Sequence, residues 1–214
     1  MSRIAAIFER LRREQRGALM PFLTGGFPSV EATREALPAV ARAGGDIIEV
    51  GIPFSDPIAD GPVIAESMSR ALDRGVTPFA VLDAIRAVRN DTPPGVLAMV
   101  SVSIVERIGS DEFTRRCAEA GVDGLIVPDI DLETATVLRA TCDEHGLTCT
   151  FLVAPTTSPA RLEQVVSLCS GFVYMLARVG ITGEQAALPE GLERRIAAIR
   201  SLTDLPVAVG FGIS

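Results

Sequence analysis

The sequence predicts a (β/α)8 (TIM) barrel with an extra helix at its N-terminus. Three observations carry that expectation. Seven short, continuous apolar runs recur: ALMPFL (18–23), DIIEVG (46–51), GVLAMVSV (95–102), GLIVPD (124–129), LTCTFLV (147–153), GFVYML (171–176) and LPVAVG (205–210). Amphipathic helical stretches separate them, the pattern of a parallel sheet whose strands are buried on both faces. The chain also echoes itself, Ala41-Arg42-Ala43-Gly44-Gly45-Asp46 matching Ala118-Glu119-Ala120-Gly121-Val122-Asp123. Each copy is a helix end, a glycine stop, an aspartate and an apolar strand, which reads as a repeated βα unit. No Gly-x-Gly-x-x-Gly follows the first run, which disfavours a doubly wound dinucleotide fold.

The N-terminal MSRIAAIFERLRREQRG is an amphipathic charged helix without the apolar core or cleavage site of a signal peptide. Ser29 opens the helix that follows the first run, and Pro38 within 29–43 predicts a kink. The interval between the second and third runs is the longest, with room for an additional helix, 62–73, before one at 78–89 that Thr77-Pro78 starts. Ser110-Asp111-Glu112 and Ser158-Pro159 open further helices. The seventh run ends close to Ser214, whereas barrels of this type reach roughly 250 residues. Residues 1–214 are therefore expected to form one barrel domain whose last βα unit lies beyond the given chain.

Composition narrows the chemistry. The 214 residues are 48% hydrophobic, enough for a large single core. No apolar run is long enough to span a bilayer, so a cytoplasmic protein is expected. The net charge of −7 argues against a nucleic-acid footprint. All 20 basic residues are arginines, so this chain can offer neither a Schiff-base lysine nor a P-loop lysine. Its one histidine, His145, reads as a helix-terminal cation beside a capping glycine. A histidine metal cage or a Ser-His-Asp triad has too few parts, and no metal site is expected. Cys117, Cys142, Cys149 and Cys169 lack metal-ligand spacing and are expected as reduced, buried thiols.

Barrel active sites form at the C-terminal ends of the strands. Glu49 lies near that end of the second run, placed to enter the barrel mouth among Ile47, Ile48 and Val50. Burial raises a carboxyl pKa, which suits a group that must give and take a proton near neutrality. The bland alternative is a buried glutamate paired with an arginine. Asp56 and Asp60 follow on a loop rich in proline and glycine; they are either functional acids or solvated loop acids and caps for the helix starting at Pro62.

LMPFLTGGFPS followed by DIIEVGIPFSDPIADGPVIAESMSRAL closely resembles the tryptophan synthase α-subunit family. AGVDGLIVPD, GFVYMLARVGITG and VAVGFGIS resemble it in the same order, from about residue 4 to the end. The resemblance implies a TIM barrel that cleaves indole-3-glycerol phosphate to indole and glyceraldehyde 3-phosphate. It implies no cofactor in this chain and a PLP-bearing β subunit as partner in an α2β2 heterotetramer. Carried over by motif, Glu49 is the general acid/base and Asp60 the carboxylate facing the indole N–H. Phe22 and Tyr174 align with indole-pocket positions, and Pro53, Asp56 and Asp131 with the partner interface. Asp131 stands where the family usually has proline, and MVSVSIVERIG lacks the family's tyrosines and asparagine after the third strand. Two alternatives stay open here: a catalytically silent homologue, and a stand-alone indole-releasing lyase.

The chemistry of the residues agrees with that implication. Retro-aldol cleavage needs an electron sink, and a C3-protonated indole ring can supply one without lysine or metal. One carboxyl then shuttles protons while a second stays ionised near the ring nitrogen, and an apolar strand and a polar loop push two pKa values apart in that sense. A phosphate ester would be held by backbone N–H groups. Gly180-Ile181-Thr182-Gly183 and Gly210-Phe211-Gly212, after adjacent strands, are suitable nests, with Thr182, Gly183, Phe211 and Gly212 the expected contacts.

Overall fold

The structure, a computed structural model, describes residues 1–56, 61–177 and 191–210. Seven parallel strands lie side by side in chain order: β1 (Phe22–Thr24), β2 (Ile47–Gly51), β3 (Gly95–Met99), β4 (Gly124–Val127), β5 (Thr148–Val153), β6 (Val173–Leu176) and β7 (Val207–Gly210). Nine helices accompany them among the described residues. These are α1 (Arg3–Arg13), α2 (Val30–Arg42), α3 (Pro62–Asp73), α4 (Pro78–Val88), α5 (Val102–Ile108), α6 (Ser110–Glu119), α7 (Leu132–Glu144), α8 (Pro159–Leu168) and α9 (Leu192–Arg200). The helix starts follow from local chemistry. Ser29, Thr77 and Ser158 each accept a backbone N–H two or three residues into their helix, the N-cap bond that their short side chains are suited to make.

Two expectations need correcting. The first run forms a strand only over Phe22–Thr24; Pro21 has no N–H to give a ladder, although the Leu19 and Pro21 carbonyls still accept from Asp46 and Glu49. The third run stops at Met99. Ser101 then caps α5, a helix that the β-branched sequence VSVSIV conceals. At Pro38, where a kink is expected, α2 continues as one helical element. His145 is the C-cap of α7 before Gly146, whose φ of 72° needs glycine, and its Nε2 lies 2.8 Å from Asp111 on α6. All four cysteines are free and buried.

Alternation along each strand sorts the apolar residues into two layers. Ile48, Val50, Val96, Ala98, Leu125, Val127, Cys149, Phe151, Val173 and Met175 face outward onto the helices. Ile47, Leu97, Met99, Ile126 and Tyr174 face the lumen. The floor of the lumen is filled by α1, whose Ile4, Ile7 and Leu11 are buried, while Phe8 packs at 5.8 Å against Phe172. Gly95 makes room for this plug, since a Cβ there would lie 2.6 Å from Ile4 Cδ1.

The repeated aspartates tie the same floor together. Asp46 takes two bonds from Arg16, at 2.7 and 2.8 Å, one from Arg10 at 3.1 Å and one from the Leu19 N–H at 3.0 Å. Asp123 takes one from Arg89 at 2.7 Å and one from the Val96 N–H at 2.8 Å, with Arg3 3.2 Å away. In both copies the aspartate opens a strand, caps a backbone N–H of the preceding strand or its approach, and binds arginine.

Candidate active site

All five residues of β2 are buried, and Glu49 is only 3% exposed. The register sets it between Phe22 on β1 and Leu97 on β3. Of the three neighbours expected around it, only Ile47 shares its lumen face. Ile48 and Val50 point the other way, onto the helices, because side chains alternate along a strand. The arginine-paired alternative does not hold among the described residues. The polar group at Glu49 is the Tyr174 hydroxyl, which donates to Oε2 at 3.5 Å across the lumen. Burial pushes the Glu49 carboxyl up to about 8, with the Tyr174 hydrogen bond pulling weakly the other way. Such a group is mostly protonated at neutrality yet close enough to its midpoint to exchange its proton in either direction.

Two aromatic side chains sit at Glu49. Tyr174, 6% exposed, packs at 6.2 Å against Phe172 and extends its hydroxyl over Gly210, where any Cβ would collide with that ring and hydroxyl. The half-buried Phe22 covers Gly51, where a Cβ would lie 2.5 Å from its ring. Glycine on the neighbouring strand thus lets each ring lie flat over backbone. Both expected pocket residues therefore meet the expected acid in one place.

The remaining expected residues divide by position. Pro53 is buried just after β2, and Asp56 is exposed on the loop beyond it. Asp131 is exposed as the N-cap of α7, accepting the Glu133 and Thr134 N–H groups and the Thr134 hydroxyl. Asp60, Thr182, Gly183, Phe211 and Gly212 lie outside the described residues, as do Gly180 and Ile181. Reading the sequence missed two contacts at the mouth. Ser101 donates to Asp129 at 2.6 Å, joining the ends of β3 and β4. Thr24, the last residue of β1, meets Ser67 of α3 at 2.7 Å. A signal for the second existed: Ser67 is a hydroxyl inside the apolar stripe Ile64, Met68, Ala71. Among the described residues there is no group of three or more His, Cys, Asp or Glu that could hold a metal. No helix there is long and apolar enough to cross a membrane.

A profile of the tryptophan synthase alpha chain family matches residues 8–214. The chain belongs to the tryptophan synthase alpha chain family. It is 42% identical to the tryptophan synthase alpha chain of Solibacter usitatus, covering 100% of this chain and 80% of the relative. With that of Halorhodospira halophila it shares 45% identity, over 100% of this chain and 78% of the relative. Among solved structures, Mycobacterium tuberculosis tryptophan synthase superposes with a TM-score of 0.91 at 37% identity, covering 99% of this chain and 80% of the other. Tryptophan synthase subunit alpha from Legionella pneumophila gives 0.89 at 34%, over 100% and 79%. As a member of that family this chain is a lyase of tryptophan biosynthesis, and its seven-stranded curl is part of a TIM barrel.

Proposed function

We propose that this chain cleaves indole-3-glycerol phosphate to indole and glyceraldehyde 3-phosphate by acid/base catalysis, with Glu49 as the proton shuttle. The observation that carries the proposal is the carboxyl of Glu49, buried in the lumen beside two aromatic rings with burial holding its pKa near 8. Protonated Glu49 donates to indole C3, which turns the ring into an electron sink. Asp60, as a carboxylate near the ring N–H, stabilises the positive charge that develops there. The Glu49 carboxylate then takes the proton of the hydroxyl on the adjacent glycerol carbon. The C–C bond breaks, its electron pair passes into the ring, and an aldehyde forms. The C3 proton stays on indole, so Glu49 ends as it began, protonated. The route uses no lysine of this chain, which has none, and calls on no metal or cofactor.

Phe22 and Tyr174 supply apolar surface for the indole ring, and Tyr174 also orients Glu49. The phosphate is assigned to backbone N–H groups at Thr182 and Gly183 after β6 and at Phe211 and Gly212 after β7, the second of these being a loop where barrels commonly bind phosphate. The partner in this reading is the PLP-bearing β subunit of an α2β2 complex, docking on the mouth end through Pro53, Asp56 and Asp131. A cytoplasmic location goes with that role.

Single-turnover indole release from Glu49→Gln, with a binding titration of a non-cleavable substrate analogue, tests the assignment. Retained binding with cleavage reduced by about 10²-fold or more is expected, since a positioned acid/base contributes about 10²–10⁴-fold. Near-parental turnover would remove Glu49 from the mechanism. Asp60→Asn should leave a measurable residue of activity, because it keeps an acceptor for the ring N–H and loses only the charge.

A further inference from the structure

We propose that Phe8 and Phe172 are positioning residues of the active site: with Tyr174 they form a ladder of three rings that runs from the floor helix to the Glu49 carboxyl and sets where the Tyr174 hydroxyl meets it. The proposal deepens the reading of Glu49 as the proton shuttle and rests on it. Phe8 lies 5.8 Å from Phe172 and Phe172 lies 6.2 Å from Tyr174, centroid to centroid, with both pairs tilted by 47°. At such separations and tilts aromatic rings attract one another. The last step is the 3.5 Å contact from the Tyr174 hydroxyl to Glu49 Oε2. Local sequence builds each rung. Ile4, Phe8 and Leu11 recur at helical spacing and share the inner face of α1. Phe172 and Tyr174 stand two residues apart as the chain enters β6, so both point into the lumen. Gly171, at φ 82°, brings that entry against α1, where a Cβ would lie 3.2 Å from Ile4 Cγ2.

The ladder has leverage because its last step is loose. An O–H···O bond is usually about 2.5–3.0 Å long, so at the longer separation here a small tilt of the Tyr174 ring decides whether the bond is made. Packing limits that tilt. The hydroxyl end lies over the Gly210 backbone, and the register partners of Tyr174 are Leu152 on β5 and Ala208 on β7. Phe172, fully buried, backs the ring toward the floor, and Phe8 in turn backs Phe172. Neither phenylalanine has a polar group to offer Glu49, so both act through Tyr174. Among the described residues no other titratable group faces this carboxyl. The neighbouring strands β1 and β3 bring Phe22 and Leu97, and the α1 arginines Arg3 and Arg10 are held at the floor by Asp123 and Asp46.

Tyr174 is the only tyrosine of a chain without tryptophan, so its fluorescence reports this one contact. A phenol bonded to a carboxylate emits less than one facing a carboxylic acid. Emission of the parent should therefore fall as pH rises through about 8. The titration ends near pH 9.5, below the ionisation of tyrosine itself at about 10. The step should vanish in Glu49→Gln. Phe172→Leu should shrink the step and move its midpoint upward, by less than about one unit, because a bond that favours the charged form is loosened. Phe8→Leu should do the same to a smaller extent. Ile7→Val, on the same helix but outside the ladder, should lower stability in urea and leave the step unmoved. A step unmoved in Phe172→Leu, or moved downward, would show that the ring only fills space or excludes water, and would overturn the proposal. So would a Phe8→Leu titration that matches Ile7→Val, or a step that persists in Glu49→Gln. Indole release against pH tests the underlying reading separately: in Phe172→Leu the Glu49 limb of the rate profile should follow the fluorescence midpoint. A shifted step beside an unshifted limb would bring down Glu49 as the shuttle, and the ladder's part in catalysis with it, while the contact itself stood.

Discussion

Asp46, immediately before β2, and Glu49, within it, stand three residues apart, both with little solvent exposure, and their surroundings drive them in opposite directions. At the floor, hydrogen bonding from Arg16 holds the Asp46 carboxyl below its ordinary value, outweighing the cost of burial. At the mouth, burial pushes Glu49 to about 8, with a tyrosine hydroxyl in place of a cation. Solvent exposure is nearly equal, at 4% and 3%, but Glu49 is enclosed by far more protein than Asp46. The two differ in that enclosure and in whether the chain brings a positive charge within reach. The floor receives Arg10 and Arg16 from α1 and the turn after it, and becomes structure. The mouth receives aromatic rings and glycine, and becomes chemistry.

The sharpest way to break this contrast is Glu49→Gln. Beyond the loss of turnover, its stability should depart from the parent in a defined window. A carboxyl that is protonated when folded at pH values where it would ionise unfolded costs stability as pH rises. The parent should therefore lose stability between about 4.5 and about 8 and level off above, by on the order of a few kcal/mol. Glu49→Gln should match the parent below pH 4.5 and exceed it at pH 8 in urea unfolding. A parallel pH dependence in both proteins would mean that Glu49 ionises freely.

Asp46→Asn probes the other end. The bond to the Leu19 N–H can survive, but the charge that engages two half-exposed arginines is lost. A cost of about 1–3 kcal/mol at pH 7 is expected, below that of breaking a fully buried pair because the arginines can turn to water. Here the sign is reversed. Asp46 stabilises the fold above its unfolded value of 3.8, and that stability disappears as pH falls through its depressed folded value, so parent and variant should converge in acid. Turnover measured at pH 7 should stay within about twofold of the parent, because the partners of Asp46, Arg10, Arg16 and the Leu19 N–H, are not among the residues assigned to substrate.

Tyr174→Phe sharpens the contrast by removing the polar partner of Glu49. That hydrogen bond lowers the Glu49 pKa, so its loss should move the Glu49 limb of the pH–rate profile upward, by less than about one unit. Turnover should fall only a few-fold, on the order of one weak hydrogen bond. An unshifted profile would mean that the 3.5 Å contact does not act on the carboxyl. The smallest effect is expected at Asp123→Asn, the repeat partner of Asp46. There burial outweighs Arg89 and Arg3 and holds the carboxyl above its ordinary value, so an amide should cost less than at Asp46, about 1 kcal/mol or less in urea.

The fold was largely legible because its periodicities are local. Five of the seven runs contain strands close to their expected bounds, and Ser29, Thr77 and Ser158 mark helix starts by short-range hydrogen bonds. The exceptions are local conflicts as well: Pro21 denies the first strand a donor, and the β-branched residues of 100–105 disguise a helix that Ser101 caps. The site was legible only in part. Glu49 stands out in the sequence as a charge inside an apolar run, and alternation alone would have told that Ile48 and Val50 face away from it. Its Tyr174 contact joins residues 125 apart, and the Thr24–Ser67 bond joins residues 43 apart; pairings at that separation leave no periodic trace. The echo around Asp46 and Asp123 was visible as a repeat, but not the arginines each would recruit, because these come from elements placed by the closed fold.

The helix that fills the floor has a consequence for how the protein is made. Its apolar face is made before the barrel it plugs: Phe8 finds its partner in Phe172, about 160 residues later. At ~5–20 residues per second, translation leaves that face without its partner for on the order of ten seconds. The stopper is made well before its seat. Throughout that interval the arginine-rich side of the helix is what keeps an unshielded greasy stripe in solution.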